Sequence, residues 1–462
     1  MLKRYIGDKK FYKMVLTLAI PILVQNAITN FVNVLDNIMV GSVGTNAFSG
    51  VGISNQLIFV YTFLIFGVSA AASIFGAQFF GKGDTDGVRY SFRFKIIVGV
   101  LITSAVIAIL YFFGTWLINL YLLGDTNTPE DVAEIIASAK GYLNVMLIGL
   151  IPFAVSQAYG GTLRECNRSI LPMVAGVVAV AVNLIFNYLL IFGKFGFPRL
   201  SVNGAAIATV ISRFVEMFIL IIATRISASR SPFILGAFRS IKIPFKLLCE
   251  MLKKGIPLIF NEVMWAGSIA VMNQCYSSRG IDAVAANNIT QTYFNVFAAA
   301  FTAVGISIGI ILGQQLGKGE ESTIKDTCRK LITFSFIISI IFSAIFFLCA
   351  YGIPQMYNTN DNARYIAQVM MQICAVFMPL EAIAQAFYFT LRSGGKTFLL
   401  FLFDVVFSWA INVSLAFVIA TFTDIPILWM YAICQSTYVV KCVFGYVMVK
   451  RGSWIRNIVA EI

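Results

Sequence analysis

Asp36 stands near the end of an apolar stretch running from about Met14 to Val40, where a carboxylate needs a reason to exist. A charge at mid-bilayer costs several kcal/mol, so it persists where it meets a cavity, an ion or a partner. Asn26, Thr29, Asn30 and Asn33 precede it at spacings of three and four, which puts one polar stripe along a helix. The stripe predicts a face lining a wet cavity; the alternative is helix packing through amide side chains. Glu262 follows Pro257 and Glu381 follows Pro379 inside two further apolar stretches. At a rise of 1.5 Å per residue both fall roughly 10–16 Å from the same membrane face. Two nearby carboxylates at that depth repel, which makes Glu262 and Glu381 a proton acceptor or a cation ligand.

Other polar residues in apolar stretches carry less. Asn183 and Asn187 share a helical face, and Asn412 takes nearly the equivalent place in the second half of the chain, where such amides bind cargo or join helices. Glu216 follows Arg213 by three residues, which predicts an ion pair within one helix. Asp404 begins an apolar stretch near the inner headgroups and reads as structural. The chain has no histidine, so proton chemistry falls to carboxylates. Its eight cysteines form no CxxC, which argues against a zinc site and disulfides. Without a nucleophile cluster or a P-loop, neither a membrane-embedded enzyme nor an ATP-driven pump is expected, and no cofactor.

The elements that must position these groups follow from composition. Of 462 residues, 59% are hydrophobic and 12% charged, and the mean hydropathy is +0.85. A bilayer core takes roughly 20 apolar residues per helix. Runs of that length lie near 14–40, 52–79, 95–123, 139–162, 170–192, 203–224, 253–277, 284–316, 331–353, 365–390, 397–421 and 426–449. The fold class expected is therefore all-α integral membrane with twelve transmembrane helices. The first run is too long for a cleavable signal peptide and lacks a small-residue cleavage site. The net charge of +13 is explained by short loops rather than a nucleic-acid partner. Assigning loops alternately puts 27 Lys and Arg on the side of both termini and five on the other, so both termini are expected in the cytoplasm.

The chain repeats itself. A shift of 236 residues lays Ile20-Pro21 on Ile256-Pro257, Ala47 on Ala283, and Gly81-Lys82-Gly83-Asp84 on Gly317-Lys318-Gly319-Glu320. A shift of 228 lays Gln157–Arg164 on Gln385–Arg392. Six spans per repeat predict two parallel six-helix bundles, related by a pseudo-two-fold axis along the membrane normal. The expected division is 1–224, a basic cytoplasmic linker 225–252, and 253–462. Asp36 maps onto Met272, so the halves differ chemically. Pro21, Pro152, Pro257 and Pro379 are candidate flex points.

Taken together, the Ile-Pro that opens each half, the Asp36-Asn37…Val40-Gly41 segment, the two Gly-Lys-Gly turns, and Leu163-Arg164 with Leu391-Arg392 resemble the multidrug and toxic compound extrusion (MATE) family. The wider group is the multidrug/oligosaccharidyl-lipid/polysaccharide flippase superfamily. The resemblance covers essentially the whole chain. It implies an alternating-access exporter in the cell membrane, driven by H+ or Na+ antiport. It further implies that Asp36 is the first-helix carboxylate of the amino-terminal half and that Asn183 lines the pocket there. Glu262 matches a seventh-helix glutamate of a cation site, and Glu381 stands where that branch usually has aspartate, so the resemblance makes these two the ligands expected for Na+. Asn187 stands where another branch has an acid.

The cargo expected is a small molecule, a cationic amphiphile, carried by a monomer. The alternative is a flippase for a lipid-linked oligosaccharide, whose phosphates would want basic groups in the cavity; Arg213 and Lys441 are the candidates.

Overall fold

A computed structural model of the chain describes residues 5–122, 128–357 and 359–460; within these, the side chains of Asn33, Val34 and Glu321 lie outside the described part. Thirteen helices carry the fold, and no strand occurs among the described residues. The first seven are α1 (Lys9–Gly41), α2 (Thr45–Lys82), α3 (Thr85–Tyr121), α4 (Pro129–Ile148), α5 (Leu150–Glu165), α6 (Ile170–Phe192) and α7 (Ser201–Ile226). After short turns come α8 (Phe245–Ser277), α9 (Ile281–Lys318), α10 (Glu321–Cys349), α11 (Asp361–Ser393), α12 (Thr397–Phe422) and α13 (Ile427–Arg451). Eleven of these are long and apolar enough to cross a membrane, or twelve with α4 and α5 counted as one span bent by 45°. The expected all-helical, multi-pass architecture is what the structure has.

Two departures from the expected spans have clear causes. Several helices overrun the apolar stretch, as α3 does by starting at Thr85 instead of residue 95, because hydropathy detects only the part that matches the bilayer. The fourth span is broken at Gly149, three residues before Pro152. Proline has no N–H to offer the Ile148 carbonyl one turn back, and beside the break the Gly149 carbonyl accepts from both the Phe153 N–H and the Arg213 guanidinium, each at 3.3 Å. By contrast Pro21, Pro257 and Pro379 lie inside continuous helices. At Pro379 the carbonyl left free one turn back, that of Ala375, takes the Ser343 hydroxyl at 2.6 Å.

The chain divides into two compact units. One comprises Ala27–Gly76 and Thr85–Leu248. Its core gathers Tyr61, Ile118, Leu143, Leu150 and Ala206, all nearly inaccessible to solvent. Here Lys95, counted above as a loop charge, is instead fully buried and bonds Glu165 at 2.5 Å. Ser73 and Thr162 complete that cluster, at 2.5 Å from Glu165 and 3.1 Å from Lys95. The segment after α7 is docked on α3: Arg93 bonds the carbonyls of Gly236, Ala237 and Lys242, and Phe233 packs on Phe92 with ring centroids 5.3 Å apart.

The second unit comprises Met1–Asn26, Ala77–Asp84 and Cys249–Ile462. Phe301, Phe346, Met370, Met378 and Tyr431 fill its core. In it the last turn of α2 crosses α9 at glycines related by the repeat. A Cβ on Gly81 would strike the Gln314 carbonyl, and one on Gly317 would strike that of Gln78. Only glycine admits so close a backbone approach.

Candidate functional site

In the first unit α1 brings Asp36 to the face of α6. Asn187 Nδ2 donates to Asp36 Oδ1 at 2.5 Å. With its amide turned so that the nitrogen faces Asp36, Asn183 donates to both carboxylate oxygens at 3.1 and 3.3 Å, and its oxygen accepts from the Thr209 hydroxyl on α7 at 3.2 Å. Asn183 and Asn187 lie four apart, so one helical face presents both amides to the same carboxylate. Both are buried, while Asp36 is partly open. The Asn187 amide oxygen is buried without a hydrogen-bond partner, an acceptor still open beside an acid. Thr29 is exposed and Asn26 and Asn30 are half-buried; the Asn33 side chain lies outside the described residues.

The second unit holds a cavity of about 180 Å³. Its wall includes Asn261 and Glu262 from α8, Glu381 and Arg392 from α11, Asp404 from α12, and Lys441 from α13. Glu262 and Glu381, placed at one depth by sequence, therefore do share a cavity. The Tyr388 hydroxyl donates to Glu262 Oε1 at 3.1 Å. Asp404 accepts from Lys441 Nζ at 2.6 Å and from Asn261 Nδ2 at 3.0 Å. The amide oxygens of Asn261 and Gln385 are buried and unpartnered, so the wall offers neutral oxygens as well as carboxylates. Three acids against Arg392 and Lys441 leave the wall with one more acidic than basic group.

From sequence Asp404 reads as structural, Arg392 has no place in the site, and Lys441 enters only as a basic group for a phosphate-bearing cargo. Asp404 lies in a π-helical stretch, Leu402–Val406, followed by a second at Ser408–Val413. Such widened turns change which residues share a face and recur at functional sites. Asn412, in the second of them, has its amide oxygen buried without a partner. Glu216 corrects another expectation: among the described residues no ion pair joins it to Arg213, which instead meets the Gly149 carbonyl and lies 5.1 Å from the Phe153 ring centroid. Both basic residues named for a phosphate-bearing cargo are thus engaged by groups of the protein itself.

The MatE family profile matches residues 21–189 and 257–418, one stretch in each half. The chain is 25% identical over 450 residues to the probable multidrug resistance protein NorM of Thermotoga maritima, covering 97% of this chain and 94% of that one. It is 24% identical over 432 residues to the probable multidrug resistance protein YoeA of Bacillus subtilis, covering 92% and 91%. A multidrug resistance MATE family transporter of the MOP superfamily in an outward-facing conformation superposes with a TM-score of 0.84 at 17% identity, over 97% of this chain and 98% of that one. A MOP superfamily transporter from Pyrococcus furiosus gives 0.82 at 18% identity, over 97% and 98%. With both halves matched by one profile and the helical architecture shared, the chain belongs to the MatE family, the multidrug and toxic compound extrusion transporters.

Proposed function

We propose that the protein exports organic cations from the cell in exchange for H+ or Na+, alternating between inward and outward access. The observation that carries this reading is the pair of acid-centred polar clusters inside apolar helical bundles. One holds Asp36 with Asn183 and Asn187, and the other holds Glu262 and Glu381 in the cavity with Asp404. Acids kept at such depth make sense where they exchange charge with an ion or cargo. Coupling requires only that ion and cargo prefer opposite conformations. The relatives named as multidrug resistance proteins point to cargo of the same class. The basic loops on the side of both termini support a cytoplasmic side for both termini in a cell membrane, and the reading takes the carrier as a monomer.

The test is efflux of a fluorescent organic cation from vesicles carrying the purified protein, under a proton gradient and a sodium gradient applied separately. Export is expected under one gradient and is absent when both are collapsed. Equal movement without a gradient, or movement of a phosphorylated lipid and no cation, would overturn the proposal.

A further inference from the structure

Lys441 is held as an organic cation would be. Its ammonium lies 2.6 Å from Asp404 Oδ1. It lies over three aromatic rings, 5.4 Å from the centroids of Phe403 and Phe407 and 6.0 Å from that of Tyr438. Aromatic faces grouped around one carboxylate attract ammonium groups through the ring quadrupoles and the charge together. The two π-helical stretches of α12 flank Phe407, and the first carries both Phe403 and Asp404. Lys441 and Asp404 are more than nine-tenths buried, yet both line the cavity. A lysine needs only a carboxylate to be neutralised; the three rings are more than a structural ion pair requires.

We propose that Phe403, Asp404, Phe407 and Tyr438 form a seat for the alkylammonium group of the cargo, and that Lys441 is its resident, tethered occupant. Glu381 is a further carboxylate on the same cavity wall. The incoming ammonium takes the seat as Lys441 moves to Glu381, so the cavity exchanges one cation for another and never holds Asp404 bare. Lys441 thereby sets a threshold: cargo binds there only when its ammonium outcompetes the lysine's, which makes Lys441 a specificity-determining residue. The inference rests on the exporter reading for the identity of the cargo, but it is tested by binding alone, without a gradient.

Truncating Lys441→Ala removes a propylammonium fragment. In lipid nanodiscs, that variant is expected to bind n-propylammonium at least about tenfold more tightly than wild type in a calorimetric titration. The ligand is also expected to raise the thermal midpoint of the variant and leave that of wild type unchanged. Adding Asp404→Asn to Lys441→Ala is expected to abolish the gain. If Lys441→Ala does not fold, Lys441→Gln, a shorter neutral side chain, carries the same test with methylammonium as probe. Folded Lys441 variants that bind no better than wild type, or a gain that survives Asp404→Asn, would overturn the proposal. A failure here alongside gradient-driven cation efflux would remove the seat and leave the exporter standing.

Discussion

Asp36→Asn should export a fluorescent organic cation about 5–150-fold more slowly than wild type, the span of typical coupling free energies, while folding as wild type does. The substitution is chosen because it changes charge and almost nothing else. An asparagine oxygen at that place still accepts from Asn187, as Asp36 Oδ1 does now at 2.5 Å, so the α1–α6 contact survives. What disappears is a group that can carry a proton or balance a cation. If the cluster serves only to join α1 to α6, Asp36→Asn keeps wild-type rates, and the amide-packing alternative stands. Efflux rates at matched protein level, with the thermal midpoint as the folding control, separate the two.

The second large effect is one of stability. Lys95→Met should cost about 3–5 kcal/mol, because it removes the lysine paired with a buried, charged Glu165 carboxylate. The Lys95 and Glu165 side chains are 0% and 2% exposed, so water cannot replace the lost partner. Lys95→Met combined with Glu165→Gln removes both charges and should recover most of the loss, since a matched apolar or neutral pair is often nearly neutral in stability. Thermal midpoints of the single and double variants in one detergent check both statements. A single variant as stable as wild type would mean that the pair contributes nothing to the fold.

What could be read from sequence, and what could not, divides along the range of the interactions. The all-helical fold came from apolar run lengths, a local signal, whereas four prolines marked alike as flex points did not tell which span breaks, and only the fourth does, near Pro152. The Asp36 stripe and the Asn183–Asn187 face came from spacings of three and four, which need only a regular helix. That α1 and α6 bring those two faces together is a tertiary fact no spacing holds; resemblance to the family suggested it, and the geometry supplies the contact. Lys95 was counted with the loop charges because its partner lies 70 residues away. Asp404 looked structural for the same reason, with Lys441 37 residues further on. Its register was further hidden by π-helical turns, which break the 3.6-residue period that face assignments assume. Glu216 and Arg213 show the reverse error: spacing permitted a pair, but Arg213 reaches the Gly149 carbonyl at the break in the fourth span instead.

The exchange of ion for cargo at the buried acids is tested most directly by ion release. Purified wild-type protein in weakly buffered nanodiscs would receive a saturating organic cation while free H+ and free Na+ are recorded. Cargo should expel at least one of the two ions, and the combined variant Asp36→Asn, Glu262→Gln, Glu381→Gln should release neither. Cargo that binds wild type with no release of either ion, or equal release from the variant, would contradict the account.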